Sequence, residues 1–168
     1  MSNIINFSGG RTSAYMTKRL IDEGGEYLVT FQNTGKEMPQ TLDFINECDH
    51  RWNLNLVWLE YRKPATFEVV SYDTASRNGE PFAQLLKQRP SSIPNQQFRF
   101  CTMELKIETL RRYLKSIGIK QYTSFNGIRY DEPRRWAKIN ATDLDVELPL
   151  VKWKTTKQDV LSLSLIHI

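Results

Sequence analysis

The sequence Ile4-Ile5-Asn6-Phe7-Ser8-Gly9-Gly10-Arg11-Thr12-Ser13 joins a short apolar run to a glycine turn. After the turn, Ser13, Met16 and Leu20 recur at helical spacing until Gly24-Gly25 ends the pattern. This order predicts a strand, a tight turn and a helix. Glycines allow the backbone to approach a ligand closely, and the N–H groups at a helix N-terminus attract anions. The turn is therefore either a phosphate-binding loop or a tight connection with a Ser/Thr cap.

The strand and helix pattern continues in the next residues. Tyr27 to Phe31 and Leu54 to Leu59 are β-rich runs, and Pro39 lies near the start of a helix between them. The apolar stripe of that helix is predicted to consist of Leu42, Ile45, Cys48 and Trp52. Residues 1–60 thus predict a β-α-β-α-β order, which is typical of a parallel sheet with crossover helices.

The middle of the chain is less regular. Residues 61–98 contain four prolines and are predicted to form an irregular insertion with one helix near 81–88. After Cys101, one apolar helix face is expected, and the helix ends at Gly118. That face is predicted to consist of Met103, Ile107, Leu110, Leu114 and Ile117.

The last part of the chain predicts two further strands and a helix. Tyr122 to Phe125 and Val146 to Leu150 are the strands, and the helix begins at Thr155 or Thr156. We predict a single domain over residues 1–162. The hexapeptide at 163–168 matches the translation of a transposon end used in sequencing libraries, so we expect it to be a scar and the native C-terminus to be missing.

Length and composition exclude several classes of protein. The chain has 168 residues, 40% of them hydrophobic and 25% charged, as expected for one globular domain. It lacks the ~20-residue apolar stretch of a membrane helix and the cationic start of a secretory signal. Two cysteines are too few for a disulfide scaffold. We therefore expect a cytoplasmic protein without a membrane partner.

Charge is distributed unevenly along the chain. Residues 1–84 hold 8 Lys/Arg against 11 Asp/Glu, whereas residues 85–168 hold 15 against 8. A basic surplus of this kind attracts either nucleic acid or a highly phosphorylated small molecule, and the charges alone leave both open.

Four motifs resemble one known family. The glycine turn lacks the Gly-Lys-Ser/Thr ending of a Walker A loop and the Gly-x-Gly-x-x-Gly dinucleotide pattern. It resembles the Ser-Gly-Gly-x-x-Ser PP-loop of the adenine nucleotide α-hydrolase-like superfamily. Phe31 to Thr41 (FQNTGKEMPQT), Phe100 to Lys106 (FCTMELK) and Gly127 to Arg135 (GIRYDEPRR) resemble blocks of the phosphoadenosine phosphosulfate (PAPS) reductase family within it. The resemblance covers nearly all of residues 3–160 except the insertion.

Pattern and resemblance together predict the fold and the ligand. The fold is expected to be α/β and Rossmann-like, with three layers and a central, mainly parallel sheet of about five strands joined by crossover helices. The resemblance implies an adenine nucleotide as ligand, and Mg²⁺ as its companion if that ligand is ATP. It assigns a phosphate to the PP-loop residues Ser8, Gly9, Gly10, Arg11, Thr12 and Ser13.

Two further blocks are expected to line the nucleotide site. Asn33, Thr34 and Gly35 end the second strand, where open α/β sheets bind ligands, and are expected in the same crevice. Gly127 and Arg129 follow the fourth predicted strand, and Arg129 is suited to bidentate contact with sulfate or phosphate.

The charged residues that follow Arg129 each have two possible roles. Arg134 and Arg135 are expected to make further contacts to the anion. The alternative is that one of the two lies on a solvated helix face instead. Asp131 and Glu132 either orient these arginines or ligate a metal.

The two cysteines differ in their surroundings. Cys48 lies on an apolar stripe and is expected in the core. Cys101 lies at a helix start between Arg99 and Lys106, where a positive field favours a thiolate. The resemblance implies that Cys101 could ligate a [4Fe–4S] cluster in the full-length protein, as in iron–sulfur members of the family. A buried, unreactive thiol is the alternative.

The resemblance implies a phosphoadenylyl-sulfate reductase-like oxidoreductase. Such a protein binds an adenylylated sulfur compound (PAPS or adenylyl sulfate) or ATP, and thioredoxin or glutaredoxin is its redox partner. The family's nucleophilic cysteine lies in a C-terminal tail, which we expect to be missing from this chain. We therefore expect the chain to bind its nucleotide without turnover. Arg11-Thr12 stands where ATP pyrophosphatases have Lys-Asp, which disfavours magnesium-assisted ATP cleavage.

Two alternatives remain at this point. One is a PP-loop ATP-dependent sulfurtransferase that acts on tRNA or DNA, which the basic second half favours. The other is a non-catalytic nucleotide-binding module.

Overall fold

The computed structural model describes residues 2–88, 94–95, 100–141 and 145–167, with side chains described up to residue 162. Within these ranges six strands form one sheet in the order β4-β3-β2-β1-β5-β6. The strands are β1 (Ser2–Asn6), β2 (Leu28–Asn33), β3 (Val57–Arg62), β4 (Thr66–Val70), β5 (Tyr122–Asn126) and β6 (Val146–Glu147). The helices are α1 (Arg11–Asp22), α2 (Pro39–Trp52), α3 (Glu80–Gln88), α4 (Phe100–Thr102), a π-helix (Met103–Glu108), α5 (Thr109–Ser116), α6 (Pro133–Asn140), α7 (Pro149–Lys152) and α8 (Lys157–His167).

Most strand pairs are parallel. β1 pairs with β5, β5 with β6, and β2 with β3 in parallel, whereas β3 and β4 are antiparallel. The sheet and its helices confirm the predicted α/β, Rossmann-like three-layer class. None of the helices in the described ranges is long and apolar enough to cross a membrane.

The sheet has six strands where about five were predicted, and the additional strand lies in residues 61–98, which are more regular than expected. β4 is an edge strand in this segment, and it follows β3 after a short turn in which Ala65 has a φ of 40°. β3 itself covers Val57–Arg62 rather than residues 54–59. The reason is local, since Asn53 and Asn55 have φ values of 50° and 51°, which interrupt an extended backbone. The helix predicted near 81–88 is confirmed as α3.

The apolar stripe predicted after Cys101 is partly wrong. Leu110 and Leu114 are buried, but Met103, Ile107 and Ile117 are 48%, 45% and 48% exposed. A π-helix has a wider turn than an α-helix, so a stripe counted at α-helical spacing drifts off the buried face. Leu105 and Thr109 occupy the buried positions instead. Arg99 lies outside the described residues.

The predicted fifth strand is too long, and the helix after it begins where expected. Only Val146–Glu147 is extended, because Pro149 starts the short helix α7. Thr156 caps α8: its backbone N–H donates to Asp159 Oδ2 at 2.7 Å, and the Asp159 N–H donates to Thr156 Oγ1 at 3.4 Å. This reciprocal cap confirms the predicted helix start.

The described residues divide into two compact units. One comprises Met1–Val29, Cys48–Leu54 and Gln121–Ile168, and the other Thr30–Glu47 and Asn55–Lys120. The second unit contains an apolar cluster of Tyr61, Leu85, Phe100 and Leu105. Cys48 is buried, which confirms its core position. The single-domain boundary at residue 162 stays a prediction.

Candidate functional site

The glycine turn between β1 and α1 is closed by one serine hydroxyl. Ser13 Oγ accepts hydrogen bonds from the Ser8 backbone N–H at 3.2 Å and from Ser8 Oγ at 3.0 Å. It donates to the Gly10 carbonyl at 2.8 Å. Gly9 has a φ of 74°, a conformation that favours glycine. The turn is therefore a compact, internally bonded loop that ends on the first turn of α1.

The N-terminus of α1 is suited to an anion. Within the described residues, no side chain caps this helix and its first turn contains no acidic residue. The first backbone N–H groups of a helix have no intrahelical partner, and the helix dipole places partial positive charge there. The side chain of Thr12, half-buried, adds a hydroxyl group beside these N–H groups.

Gly127, just after β5, packs against this first turn. A Cβ atom on Gly127 would lie 3.0 Å from Ser13 Cα and 3.3 Å from Ser13 N. The clashing atoms are backbone, so they cannot move aside as a flexible side chain would. The close approach therefore depends on glycine at this position.

The Arg129 guanidinium lies beside the same helical turn. Its Nη1 donates to Thr12 Oγ1 at 3.4 Å and lies 3.5 Å from Glu132 Oε2. Its Nε donates to Asp131 Oδ1 at 2.8 Å. The Arg129 backbone N–H also donates to Glu132 Oε2, at 3.1 Å. The structure thus brings together Thr12, Ser13, Gly127 and Arg129, and their role in nucleotide binding stays a prediction.

The loop that carries Arg129 is anchored to the start of α8. Asp131 Oδ2 accepts a hydrogen bond from the Lys157 backbone N–H at 3.2 Å, and the Tyr130 N–H donates to the Thr155 carbonyl at 2.9 Å. Asp131 therefore bridges the Arg129 side chain and the α8 N-terminus.

Both carboxyls beside Arg129 have lowered pKa values. Desolvation alone would raise the pKa of Asp131, but hydrogen bonds from Arg129 and the Lys157 N–H, with the Arg129 charge, outweigh it. The pKa of Glu132 is lowered for the same kind of reason, since hydrogen bonds and charge from Arg135 and Arg129 outweigh desolvation. The ionised forms are thus the ones that hold Arg129.

Arg134 and Arg135 lie on α6, a helix with no buried residue in the described structure. Arg135 pairs with Glu132 at 2.6 Å, and its side chain is 61% exposed, against 21% for Arg129. Arg134 is exposed. Their role as anion clamps stays a prediction.

Asn33, Thr34 and Gly35 form a separate, tightly bonded turn in the second compact unit. Asn33 is fully buried, and its Oδ1 accepts from the Gly35 N–H at 3.0 Å. The Thr34 hydroxyl and N–H both donate to the Glu37 carboxylate, at 2.9 Å and 3.0 Å. Gly35 has a φ of 73°, and a Cβ there would lie 3.0 Å from Gly79 Cα.

Glu60, which was not predicted from the sequence as a site residue, lies next to this turn. It is fully buried in β3, and its Oε1 accepts from Asn33 Nδ2 at 2.7 Å. A carboxylate within the otherwise apolar run Val57-Trp58-Leu59-Glu60-Tyr61 is the signal that could have identified it.

The cysteines do not form a cluster site on their own. A [4Fe–4S] cluster takes four thiolates, whereas this chain has two cysteines. Cys101 packs against the apolar cluster of the second unit, and Cys48 is buried in α2. In the described ranges, no three His, Cys, Asp or Glu side chains converge on a possible metal position. The residues present do not fit the cluster, and we assign no step to one.

Comparison with known proteins identifies the family. The phosphoadenosine phosphosulfate reductase domain matches residues 2–164 of the chain. The chain therefore belongs to this family, which is part of the PP-loop adenine nucleotide α-hydrolase-like superfamily.

Similar proteins occur in phages and an archaeon. The uncharacterized nin region protein ORF290 of Escherichia phage lambda is 33% identical in an alignment 150 positions long, which covers 80% of this chain and 50% of that protein. The uncharacterized protein MJ0973 of Methanocaldococcus jannaschii is 27% identical over 161 residues, 90% of this chain and 33% of that protein. An uncharacterized 37.8 kDa protein of Escherichia phage 186 is 22% identical in an alignment 204 positions long, which covers 98% of this chain and 60% of that protein. The chain thus spans between 33% and 60% of the length of these relatives.

Proposed function

We propose that this chain binds an adenine nucleotide and holds its phosphate or sulfate group at the glycine turn. The observation that carries the proposal is the position of Arg129, whose Nη1 lies 3.4 Å from Thr12 Oγ1 in the uncapped first turn of α1. A guanidinium beside free helix N–H groups is a combination that favours a tetrahedral oxyanion.

The residues of the site contribute to binding in different ways. Backbone N–H groups of the turn and the hydroxyl of Thr12 supply hydrogen-bond donors, and Arg129 supplies charge and a planar fork. Asp131 and Glu132 orient the guanidinium, and Asp131 also ties it to α8 through the Lys157 N–H. A charge-assisted hydrogen bond of this kind contributes about 1.5–3 kcal/mol.

Family membership supports sulfur chemistry as the purpose of binding. The proposed ligands are PAPS, adenylyl sulfate or ATP, and the proposed activity is that of a phosphoadenylyl-sulfate reductase-like oxidoreductase. Thioredoxin or glutaredoxin is the proposed redox partner. Nucleotide contacts by Asn33, Thr34 and Gly35 are part of the proposal on the strength of the family motif alone. Magnesium accompanies the ligand if the ligand is ATP.

A sulfurtransferase that acts on tRNA or DNA is the second candidate. Helix α6 favours it, because Arg134 and Lys138 are both exposed and lie four residues apart, on one side of a helix with no buried residue among those described. Such a surface suits phosphate-backbone contacts. Retention of labelled tRNA or duplex DNA by the chain, lost in an Arg134→Ala/Lys138→Ala variant, would favour this candidate.

Calorimetric titration tests the first candidate. The folded chain is titrated separately with ATP, adenylyl sulfate and PAPS, with and without Mg²⁺. We expect saturable binding of at least one of the three. Absence of heat with all three, in protein shown to be folded by circular dichroism, contradicts the proposal.

A further inference from the structure

Glu60 is a charged residue at a buried position, where an apolar side chain would have a lower free-energy cost of burial. It has no exposed surface, and it pairs in register with Asn33 of the parallel neighbour β2. Burying a carboxylate costs several kcal/mol unless it is well paired and hydrogen-bonded, as an order-of-magnitude rule. The contacts that Glu60 makes therefore indicate what it contributes.

Four contacts surround the Glu60 carboxylate. Oε1 accepts from Asn33 Nδ2 at 2.7 Å and from the Ser76 backbone N–H at 2.6 Å. Oε2 accepts from Ser76 Oγ at 2.7 Å and lies 3.0 Å from Arg62 Nη1. Arg62 also pairs with the exposed Glu68 on β4. Three of the four contacts thus involve the Asn33 turn and the loop after β4, and only one involves the cation Arg62.

The Asn33 amide has one orientation because of its hydrogen bonds. Its Nδ2 donates to Glu60 and, at 2.8 Å, to the Ser76 carbonyl, while its Oδ1 accepts from the Gly35 N–H. Exchanging the amide oxygen and nitrogen would set an NH₂ group against the Gly35 N–H and an oxygen against two acceptors. Glu60 is therefore one of three groups that fix which way Asn33 points, and it is the charged one.

The loop after β4 is held against the same turn. The Ser76 N–H and hydroxyl both donate to the Glu60 carboxylate. Gly79, three residues later, lies so close to Gly35 that a Cβ on Gly35 would come within 3.0 Å of the Gly79 Cα. Lys36 Nζ donates to the Asn78 carbonyl at 3.3 Å. The Glu60 carboxylate thus contacts both the Asn33 side chain and the loop that packs against Gly35.

We propose that Glu60 is a positioning residue for nucleotide binding: it touches no ligand itself and acts by fixing the Asn33 amide and the Ser76 loop. The inference rests on the proposed function in one respect, that the Asn33–Gly35 turn contributes to nucleotide binding.

The principal test compares Glu60→Gln with Glu68→Gln. Glutamine at position 60 keeps the shape but has one acceptor oxygen instead of two and no charge, so it cannot make all four contacts, whereas Glu68 shares only Arg62 with the cluster. The probe is the nucleotide that binds the unsubstituted chain most tightly among ATP, adenylyl sulfate and PAPS. We expect Glu60→Gln to weaken affinity at least tenfold and Glu68→Gln less than twofold. Equal effects of the two variants would overturn the proposal.

A double-mutant cycle separates positioning from a general loss of structure. If Glu60 acts through Asn33, affinity in Glu60→Gln/Asn33→Ala equals that in Asn33→Ala alone within twofold. Additive losses in the double variant would contradict action through Asn33. Thermal unfolding of every variant is recorded, and titrations are run well below each midpoint.

A ligand-free measurement keeps the inference separate from the proposed function. In ¹⁵N spectra, the Asn33 side-chain amide should be shifted and protected from exchange in the unsubstituted chain and in Glu68→Gln, and should lose both features in Glu60→Gln. If Glu60→Gln does not fold, Ser76→Ala replaces it, with affinity lowered at least threefold and the Asn33 signals changed. Binding by the unsubstituted chain that is weakened by Arg129→Ala but not by Glu60→Gln would refute this inference alone. Absence of binding, with the Asn33 signals still dependent on Glu60, would refute the proposed function and leave the positioning contact in place.

Discussion

Gly127 lies against Ser13 so closely that a Cβ atom on the glycine would come within 3.0 Å of Ser13 Cα and 3.3 Å of Ser13 N. Two segments more than a hundred residues apart in sequence are thereby brought together at the carboxyl ends of the paired strands β1 and β5. The contact also determines where Arg129, two residues further on, can place its guanidinium.

Gly127→Ala should weaken nucleotide affinity at least tenfold, which is about 1.4 kcal/mol. The added methyl group meets backbone atoms of the first turn of α1, so either that turn or the Arg129 loop must shift. Calorimetric titration measures the affinity.

Gly24→Ala is the matched control for this substitution. Gly24 has a φ of 81° with no atom within 4 Å of a built Cβ, so alanine there strains the backbone without a steric clash. It follows the far end of α1, about 18 Å along the helix axis from the glycine turn. We expect lower thermal stability with unchanged affinity. If both variants lose affinity equally, the effect of Gly127→Ala comes from lower stability of the folded chain and not from the contact with Ser13.

Arg129→Ala should weaken nucleotide affinity at least tenfold, and Arg135→Ala less than threefold. Arg129 is held by Asp131 and Glu132 beside Thr12, whereas Arg135 is mostly exposed on α6 and pairs only with Glu132 among the contacts described. A preorganised charge binds an anion more strongly than one that must be ordered first. An Arg135→Ala effect equal to or larger than that of Arg129→Ala would refute this ranking.

Asp131→Asn should weaken nucleotide affinity about threefold to tenfold at neutral pH, because the carboxylate that orients Arg129 is lost. The pH dependence follows from the lowered pKa values of Asp131 and Glu132, whose ordinary values are 3.8 and 4.5. A carboxyl with a lowered pKa stabilises the folded state fully above its ordinary value, and this stabilisation is lost as pH falls through the lower folded value.

Because ionised Asp131 and Glu132 hold Arg129 beside Thr12, affinity of the unsubstituted chain should not change through these groups above their ordinary pKa values, and should fall as pH drops through their lower folded values. Asp131→Asn should show a smaller fall on the acid side. An acid-side fall of the same size in Asp131→Asn as in the unsubstituted chain would exclude Asp131 as one of its causes. Titrations in matched buffers of constant ionic strength provide the measurement.

The 168-residue chain should release no sulfite from PAPS in the presence of thioredoxin. Its two cysteines are Cys48, which is 3% exposed in α2, and Cys101, which lies in α4 and packs against the apolar cluster that contains Phe100. Reduction through a covalent intermediate needs a thiolate that can reach the sulfur atom. Sustained sulfite release that is abolished by Cys101→Ser would overturn this prediction and make Cys101 the nucleophile.

Features that depend on local sequence could be predicted. The β1–turn–α1 unit follows from an apolar run, two glycines and helical spacing, and the start of α8 follows from a threonine cap. The grouping of Gly127 and Arg129 with the glycine turn required the family resemblance, because nothing local to either segment encodes the other.

Features that depend on tertiary context could not be predicted. Along the π-helix at Met103–Glu108, Leu105 and Thr109 are buried in place of Met103 and Ile107, because spacing rules assume an α-helix. β4 is an edge strand whose formation depends on pairing with β3, and neighbouring prolines obscured it. Glu60 is buried because Asn33, Ser76 and Arg62 surround it, and its partners come from three different segments.

The most direct test of anion binding at the glycine turn is a ¹⁵N–¹H spectral titration of the folded chain with the tightest-binding of ATP, adenylyl sulfate and PAPS. If the phosphate or sulfate group binds there, the largest shifts will occur at the backbone amides of Gly10 to Ser13 and at the Arg129 Nε–H, and Arg129→Ala will reduce the amide shifts at equal ligand concentration. Saturable binding that leaves the amide signals of Gly10 to Ser13 unshifted would contradict anion binding at the glycine turn.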